Sequence, residues 1–357
     1  ASAMDGYALD TAAMTGPGPW TLRVAGQSAA GHVDAPTVNG LSAVQIFTGA
    51  PVPNGANAVI MQEHVTRLDT QIEITTKPTI GQNIRQRGEE LSQGTVVLAG
   101  GQRLGPREIA ACAVAGQNKI PVHRTLRVAL VTTGDEVHSP GALRSEAGIW
   151  DVNGAMLTAA LQTCGDVQIS HVHCADTLQG ITDCFETLKS DTDLIITTGG
   201  ISVGATDHVK PALTAAGGQI AISGVAIKPG KPISLGSIGD ATWLGLPGNP
   251  LSAFVTWTLF GRPLLDRLSG VTQPGGPNRR HVLADTDLHH SLGRCELRLA
   301  KRTGFDARGR EIVTCPKTTH SGRIATLHSY DGVVFLPADN STFPQGDLLE
   351  FLPFSCD

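Results

Sequence analysis

No apolar run in the sequence approaches the roughly 20 residues that a membrane-spanning helix needs. No charged-then-apolar signal segment opens the chain. Among the seven cysteines, Cys112, Cys164, Cys174, Cys184, Cys295, Cys315 and Cys356, none sits at CxxC spacing, so neither a disulfide framework nor a thiolate zinc site is indicated. Cys164 and Cys184 read as small core residues on apolar helix faces. A reducing compartment fits best, and a cytoplasmic location is expected. The phosphate-loop motif GxxxxGK[ST], the nucleophile elbow GxSxG and the zinc motif HExxH are also missing, which argues against P-loop NTPase, serine hydrolase and zincin chemistry. Lys+Arg 27 against Asp+Glu 32 gives a net charge of −5. That balance argues against a nonspecific nucleic-acid or anionic-membrane binder.

What is present is glycine and proline: 42 Gly and 21 Pro in 357 residues. The excess predicts short strands joined by built turns. Hydrophobic content of 41% and charged content of 17% are those of a folded globular chain, long enough for two or three domains. The sequence opens without Met, in Ala1-Ser2-Ala3-Met4, and reads as the interior of something longer, with an N-terminal segment missing.

Residues 1–86 read as β-rich, with candidate strands at Trp20–Ala25, Ala43–Phe47, Ala58–His64 and Gln71–Thr75. Residues 87–122 form a small linking subdomain, whose short helix starts at Pro106 and stops at Gly116. Residues 123–272 alternate strand and helix. Arg127–Thr132 is a near-continuous apolar run, the mark of a strand covered on both faces. Asn153 is the candidate cap of a helix with apolar positions Leu157, Ala160, Leu161 and Cys164. Val167–Val172, Asp193–Thr197 and Gln219–Val225 are further strands, and Leu178, Ile181, Phe185 and Leu188 mark a second amphipathic helix. A third begins at Asn249-Pro250, to be ended or kinked by Pro263. The alternation predicts a mostly parallel, doubly wound α/β sheet. Gln273–Pro277 is a candidate linker. The β-rich residues 273–357, with segments such as Cys295–Ala300, Gly332–Leu336 and Leu348–Phe351, suggest a small barrel or sandwich.

In an open α/β sheet, ligands bind beyond the carboxyl ends of the strands. The notable turns fall there: Thr133-Gly134-Asp135-Glu136, and Thr198-Gly199-Gly200-Ile201-Ser202 leading to Asp207. Glycines let backbone amides approach an anion. Either turn alone could be only a tight turn; two at one sheet edge make an anion site the better reading. Ala226-Ile227-Lys228-Pro229-Gly230-Lys231-Pro232 sets two lysines three apart in a stiff frame, suited to an oxyanion such as phosphate or molybdate, although a basic surface loop would show the same residues. Gly245-Leu246-Pro247-Gly248-Asn249-Pro250-Leu251-Ser252 joins a strand to a helix start, another seat for an anion. Asp135, Glu136, Asp176 and Asp207 gather at the same edge, and carboxylates beside phosphate sites usually hold Mg²⁺. Each taken singly could be a helix cap or a solvated charge. His171, His173, His289 and His290 read as structural.

Seven segments in order resemble the molybdopterin molybdenumtransferase family, with its gephyrin and plant Cnx-type E-domain relatives. They are Ser2–Ala8 (SAMDGYA), Phe47–Pro53 (FTGAPVP), Ile84–Leu91 (IRQRGEEL), Thr132–Val137 (TTGDEV), Thr197–Asp207 (TTGGISVGATD), Ile227–Pro232 (IKPGKP) and Gly245–Ala253 (GLPGNPLSA). The resemblance implies a four-part fold: a central doubly wound α/β molybdopterin-binding domain flanked by a β-rich N-terminal domain, a small linking subdomain and a C-terminal β-barrel-like domain. It implies a homodimer that inserts molybdate into the dithiolene of adenylylated molybdopterin with Mg²⁺ and releases AMP. It places the chemistry on Asp5, Glu136, Asp176, Asp207, Lys228 and Lys231, with Asp135, Glu136 and Asp207 toward the metal. Substrate contacts are implied for Thr48, Glu90, Thr133, Gly134, Asp135, Gly199, Gly200, Ser202, Pro247, Pro250, Ser252 and Ser321. Asp5, Thr48 and Glu90 would serve the partner subunit's site, and the enzyme that adenylylates molybdopterin would act upstream.

Three departures accompany the resemblance. The helical segment that usually precedes SAMDGYA is absent, so the linking subdomain is expected to be incomplete. Glu90 stands where the family often has Asp. Arg298 lies one place early, with Leu299 where an arginine contact to molybdate would fall. Two rival readings are a gephyrin-like peptide-binding scaffold and a molybdopterin adenylyltransferase.

Overall fold

The computed structural model describes residues 1–32, 34–165, 167–201, 207–272, 279–322 and 324–354. Its contacts fall into two compact units, Ala1–Val97 with Ala111–Gly116, and Leu98–Ala110 with Gln117–Asp357.

The first unit holds a six-stranded sheet built from β1 (Gly6–Leu9), β2 (Trp20–Ser28), β3 (Ser42–Ile46), β4 (Ala58–Met61), β5 (Thr66–Leu68) and β6 (Gln71–Ile74), in the order β4-β1-β3-β2-β6-β5. β2 and β3 run parallel and the other neighbours antiparallel. All four residues of β1 are buried. Tyr7 and Leu9 join one core with Leu22, Ile60, Ile72 and Ile74, while Ala8 packs with Ile46 and Val59. That double coverage explains why so short a strand, missed in the sequence, forms. Ala58–His64 is not one strand: after Met61 the polar Gln62–His64 turn into a 3-10 helix. α1 (Pro106–Val114) begins with its proline and stops before Gly116, whose φ of +72° an L side chain would resist.

The second unit contains a mixed α/β sheet and a barrel. In chain order the sheet segment supplies β7 (Leu126–Thr133), β8 (Val137–His138), β9 (Ile149–Trp150), α2 (Val152–Thr163), β10 (Val167–Cys174), α3 (Leu178–Leu188), β11 (Leu194–Thr198), α4 (Val209–Ala215), β12 (Gln219–Ser223), β13 (Ile227–Lys228), β14 (Ser234–Ile238) and β15 (Ala241–Leu246). The main sheet has the order β10-β7-β11-β15-β14-β12. β10, β7, β11 and β15 are parallel; β14 and β12 close the edge antiparallel. Alternate residues of β7 feed two cores. Val128 and Leu130 pack with Leu157 and Leu161 of α2, while Ala129 and Val131 pack with Ile181, Phe185 and Val209 of α3 and α4. This is the doubly wound arrangement that the unbroken apolar run predicts.

α5 (Pro250–Thr256) passes through a π-helical turn, Trp257–Gly261, into α6 (Arg262–Leu268). Pro263 therefore sits beside a change of winding rather than at an end of the helix. Asn153 does not cap α2. Asp151 does, accepting from the Gly154 amide at 2.7 Å, and Asn153 is already inside the helix.

The last segment contributes β16 (Arg280–Ala284), β17 (Leu288–His289), β18 (Cys295–Phe305), β19 (Glu311–Thr314), β20 (Gly332–Leu336), β21 (Thr342–Phe343) and β22 (Leu348–Pro353). β18, β19, β16, β22 and β20 pair in sequence, and β20 pairs back onto β18, which closes a five-stranded barrel. β13 joins that sheet through β18, in register Ile227↔Cys295 and Lys228↔Glu296. The candidate linker at Gln273–Pro277 and Cys356 lie outside the described residues. Among the described residues, no helix is long and apolar enough to cross a membrane.

Candidate active site

The four parallel strands of the main sheet end side by side, at Thr133, Cys174, Thr198 and Leu246. β10 and β11 lie on opposite sides of β7, so the chain reverses its direction of travel across the sheet there. A crevice is expected at such a point. A cleft of about 510 Å³ opens there, lined by the turn residues Thr133, Gly134, Gly199, Gly200, Pro247 and Pro250 and by the carboxylates Glu136, Asp176 and Asp207.

Polar tethers fix the rim. Thr133 Oγ1 donates to Asp176 Oδ1 at 2.8 Å. Asn153 Nδ2 donates to Thr198 Oγ1 at 2.7 Å and to the Gly248 carbonyl at 2.8 Å, so one side chain of α2 ties the end of β11 to the turn after β15. Nothing local in the sequence distinguishes that use from a cap. His171 Nε2 and His173 Nδ1 each lie 3.2 Å from Thr132 Oγ1. One wall of the cleft is apolar: Ile149 and Trp150 line it, and Trp150 is 41% exposed with the Arg144 guanidinium 5.4 Å from its ring centroid. The sequence reading missed this wall, because no periodic pattern marks a two-residue strand.

Glu136, Asp151, Asp176 and Asp207 line the cleft, and its described lining includes no lysine or arginine. A cation between the cleft and a phosphate chain would offset the repulsion that charge creates. Among the described residues, no group of three or more His, Cys, Asp or Glu side chains could hold a metal ion by itself. The donor set suits Mg²⁺, which usually takes one or two carboxylates and completes its shell from substrate phosphates and water. Glu136 and Asp207 could supply those carboxylates. Asp135 is exposed and is not part of the lining, and Ser202 lies outside the described residues.

The lysines belong to a neighbouring polar cluster. Lys228 Nζ donates to Glu296 Oε2 at 3.2 Å across the β13–β18 pairing. Glu296 Oε1 accepts from Arg298 Nε at 2.9 Å and from Thr319 Oγ1 at 3.0 Å. Burial pushes the Glu296 carboxyl up, but the hydrogen bond and charge of Arg298, joined by those of Lys228, outweigh it and hold the group below the ordinary Glu value. Lys231 is exposed, and Ser252 is buried in the first turn of α5. Ser321 accepts from Asn249 Nδ2 at 3.1 Å, and its carbonyl accepts from the Leu251 amide at 3.2 Å. Asn249 also lines the cleft, as does Pro232, so the lysine turn and the Thr319–Ser321 segment adjoin it. Leu299 is buried in an apolar cluster with Ile227, Leu251 and Val255, while Arg298 serves Glu296.

In the first unit three of the resembling segments meet. Ser2 bridges to Ile84, the Ser2 amide donates to the Ala50 carbonyl, and the Gly49 amide donates to the Ser2 carbonyl. Asp5 accepts from the Thr48 amide at 2.6 Å and from its hydroxyl at 2.8 Å. Those bonds, the amide's first, hold the Asp5 carboxyl below its usual value although it is exposed. Glu90 is exposed outside regular secondary structure.

Residues 1–116 match the family model described as the MoeA N-terminal region (domain I and II), and residues 129–267 match the one described as a probable molybdopterin binding domain. A molybdopterin molybdenumtransferase 2 of Mycobacterium tuberculosis is 34% identical over 95% of this chain and 84% of its own length. A molybdopterin molybdenumtransferase of Haemophilus influenzae is 37% identical over 83% and 72%. Among solved structures, a molybdopterin biosynthesis MoeA protein of Pyrococcus horikoshii superposes with a TM-score of 0.81 at 26% identity, covering 99% of this chain and 87% of that one.

Proposed function

This chain belongs to the molybdopterin molybdenumtransferase family, enzymes of molybdenum cofactor biosynthesis, and from that membership we propose that it inserts molybdate into the dithiolene of adenylylated molybdopterin and releases AMP. The observation that carries the reading is the convergence of the turns after four parallel strands on one acidic cleft that adjoins the lysine turn.

The substrate joins flat heteroaromatic rings through a pyrophosphate, and the cleft has a part for each. Trp150 and Ile149 offer an apolar wall to a ring. The glycine turns bring backbone amides to the phosphates. Lys228 and Lys231 hold the molybdate dianion, with Ser252 and Ser321 nearby as hydroxyl donors. Glu136 and Asp207 would hold Mg²⁺, which when bound draws off charge from the pyrophosphate oxygens. Asp176, tethered by Thr133, keeps its carboxylate in one place at the rim. The residues orient two polyanions and need no covalent nucleophile, so positioning and electrostatics carry the rate. Asp5, Thr48 and Glu90 act on the partner's cleft in a homodimer, which light scattering on the purified protein tests. The preorganised, exposed Asp5 carboxylate supports that role.

Incubating the protein with adenylylated molybdopterin, Mg²⁺ and molybdate releases AMP in step with molybdate consumed. If substrate binds and no AMP appears, the enzymatic reading fails in favour of a scaffold; if ATP is consumed instead, the adenylyltransferase reading replaces it.

A further inference from the structure

We infer that Glu296 is a positioning residue of the oxyanion seat and acts through Lys228; the inference rests on the proposed role of Lys228 in holding molybdate. Glu296 is 1% exposed on a barrel strand, where an apolar side chain would be the ordinary choice. Its two oxygens are fully engaged. Oε1 takes Arg298 and Thr319, and Oε2 takes Lys228. Arg298 is itself 2% exposed and spends a further N–H on the His289 carbonyl at 2.8 Å. Arg298 and Thr319 are both served by Oε1, and the carboxylate turns its second oxygen outward to Lys228.

Lys228 differs from the other two partners. Its side chain is 42% exposed, and an ammonium has three N–H donors. Glu296 holds one of them from the buried side and leaves the rest on the open side. A free lysine would spread over many rotamers; the pinned one presents a fixed charge. Thr319 stands two residues before Ser321, which is bonded to Asn249 at the cleft. One carboxylate therefore locates both the lysine turn and the segment that carries Ser321. Two cations face one anion here, so the locus keeps a net positive charge for a dianion.

Calorimetric titration of the full chain with sodium molybdate tests this in a double-mutant cycle of Glu296→Gln and Lys228→Ala, with thermal unfolding of each variant. Gln keeps the size and an acceptor oxygen. With Lys228 present, Glu296→Gln weakens molybdate binding by about tenfold. With Ala at 228 the same change costs no more than about twofold, because the lysine through which it acts is gone. An equal loss in both backgrounds, or no loss, overturns the positioning role. So does tighter binding, which removal of a negative charge alone would give. If the Glu296→Gln protein does not fold, Glu296→Asp, which keeps the charge and withdraws it by one methylene, takes its place in the same cycle. If Lys228→Ala binds molybdate as the unaltered protein does, the reading of the lysine seat falls as well; if Lys228→Ala weakens binding and the change at 296 does not, only the inference about Glu296 falls.

Discussion

Thr133 Oγ1 donates to Asp176 Oδ1 at 2.8 Å, which joins the last residue of β7 to the turn that follows β10. Both residues line the cleft, so the bond determines where a carboxylate stands relative to the glycine turns. Asp176→Asn retains the acceptor and removes the charge. The expected result is an unfolding free energy within about 0.5 kcal/mol of the unaltered protein and AMP release slowed by about 100-fold. Thr133→Val retains the charge and removes the tether, and should slow AMP release by about tenfold. Wild-type turnover in Asp176→Asn would leave the carboxylate with a structural role only.

Asp207 is the sharper case. It lines the cleft two residues before α4 and is one of the two carboxylates assigned to Mg²⁺. Asp207→Asn should abolish AMP release while changing stability by less than about 1 kcal/mol, as a rim substitution does. Urea unfolding beside the AMP assay checks both halves. A large loss of stability would show that the side chain supports the fold instead.

The parts of this site that could be read from the sequence are those whose physics is local. The apolar run of β7 was legible because its alternate residues feed two cores, and the cleft turns because glycine and proline restrict the backbone in recognisable ways. Asp151 and Asn153 show the limit. Both are good caps two residues apart, and the choice is made by Thr198 and Gly248, which claim the Asn153 amide from across the sheet. Glu296 was invisible for the same reason: its partner Lys228 is 68 residues away and is brought alongside by strand pairing. Leu299, a departure from the family pattern in the sequence, is explained by an apolar cluster that forms where β13 meets the barrel.

Stability on the acid side should depend on Asp193, at the amino end of β11. Its carboxylate is 13% exposed, takes two guanidinium N–H groups of Arg124 at 2.7 and 2.6 Å, and accepts from the Arg127 amide at 2.8 Å. The Arg124 hydrogen bond outweighs burial and holds the carboxyl far below the usual Asp range. A group whose folded value is depressed stabilises the fold above its unfolded value, about 3.9, and that contribution is lost as pH falls toward the folded value. Asp193→Asn should therefore cost about 1.5–3 kcal/mol at pH 7. The unfolding curves of the two proteins should converge as the pH drops below about 3.9. A constant gap across that range would assign the loss to packing rather than to ionisation.

Gly230, inside the lysine turn, has a φ of +105°, and a Cβ there would run into the methyl group of Thr256. Thr256 cannot easily yield: it is fully buried and its hydroxyl is held by the Ser252 carbonyl at 2.7 Å. Gly217 supplies the control, because its φ is +85° and a Cβ there meets nothing within 4 Å. Gly217→Ala should cost about 1 kcal/mol, from backbone strain alone. Gly230→Ala adds overpacking and should cost about 2–4 kcal/mol. Relief of that overlap would move the turn between Lys228 and Lys231, so molybdate affinity should fall in Gly230→Ala and stay unchanged in Gly217→Ala. Equal stability losses in the two variants would mean that the turn can shift freely against α5, and a frame that shifts freely could not hold two ammonium groups at the spacing a single oxyanion requires.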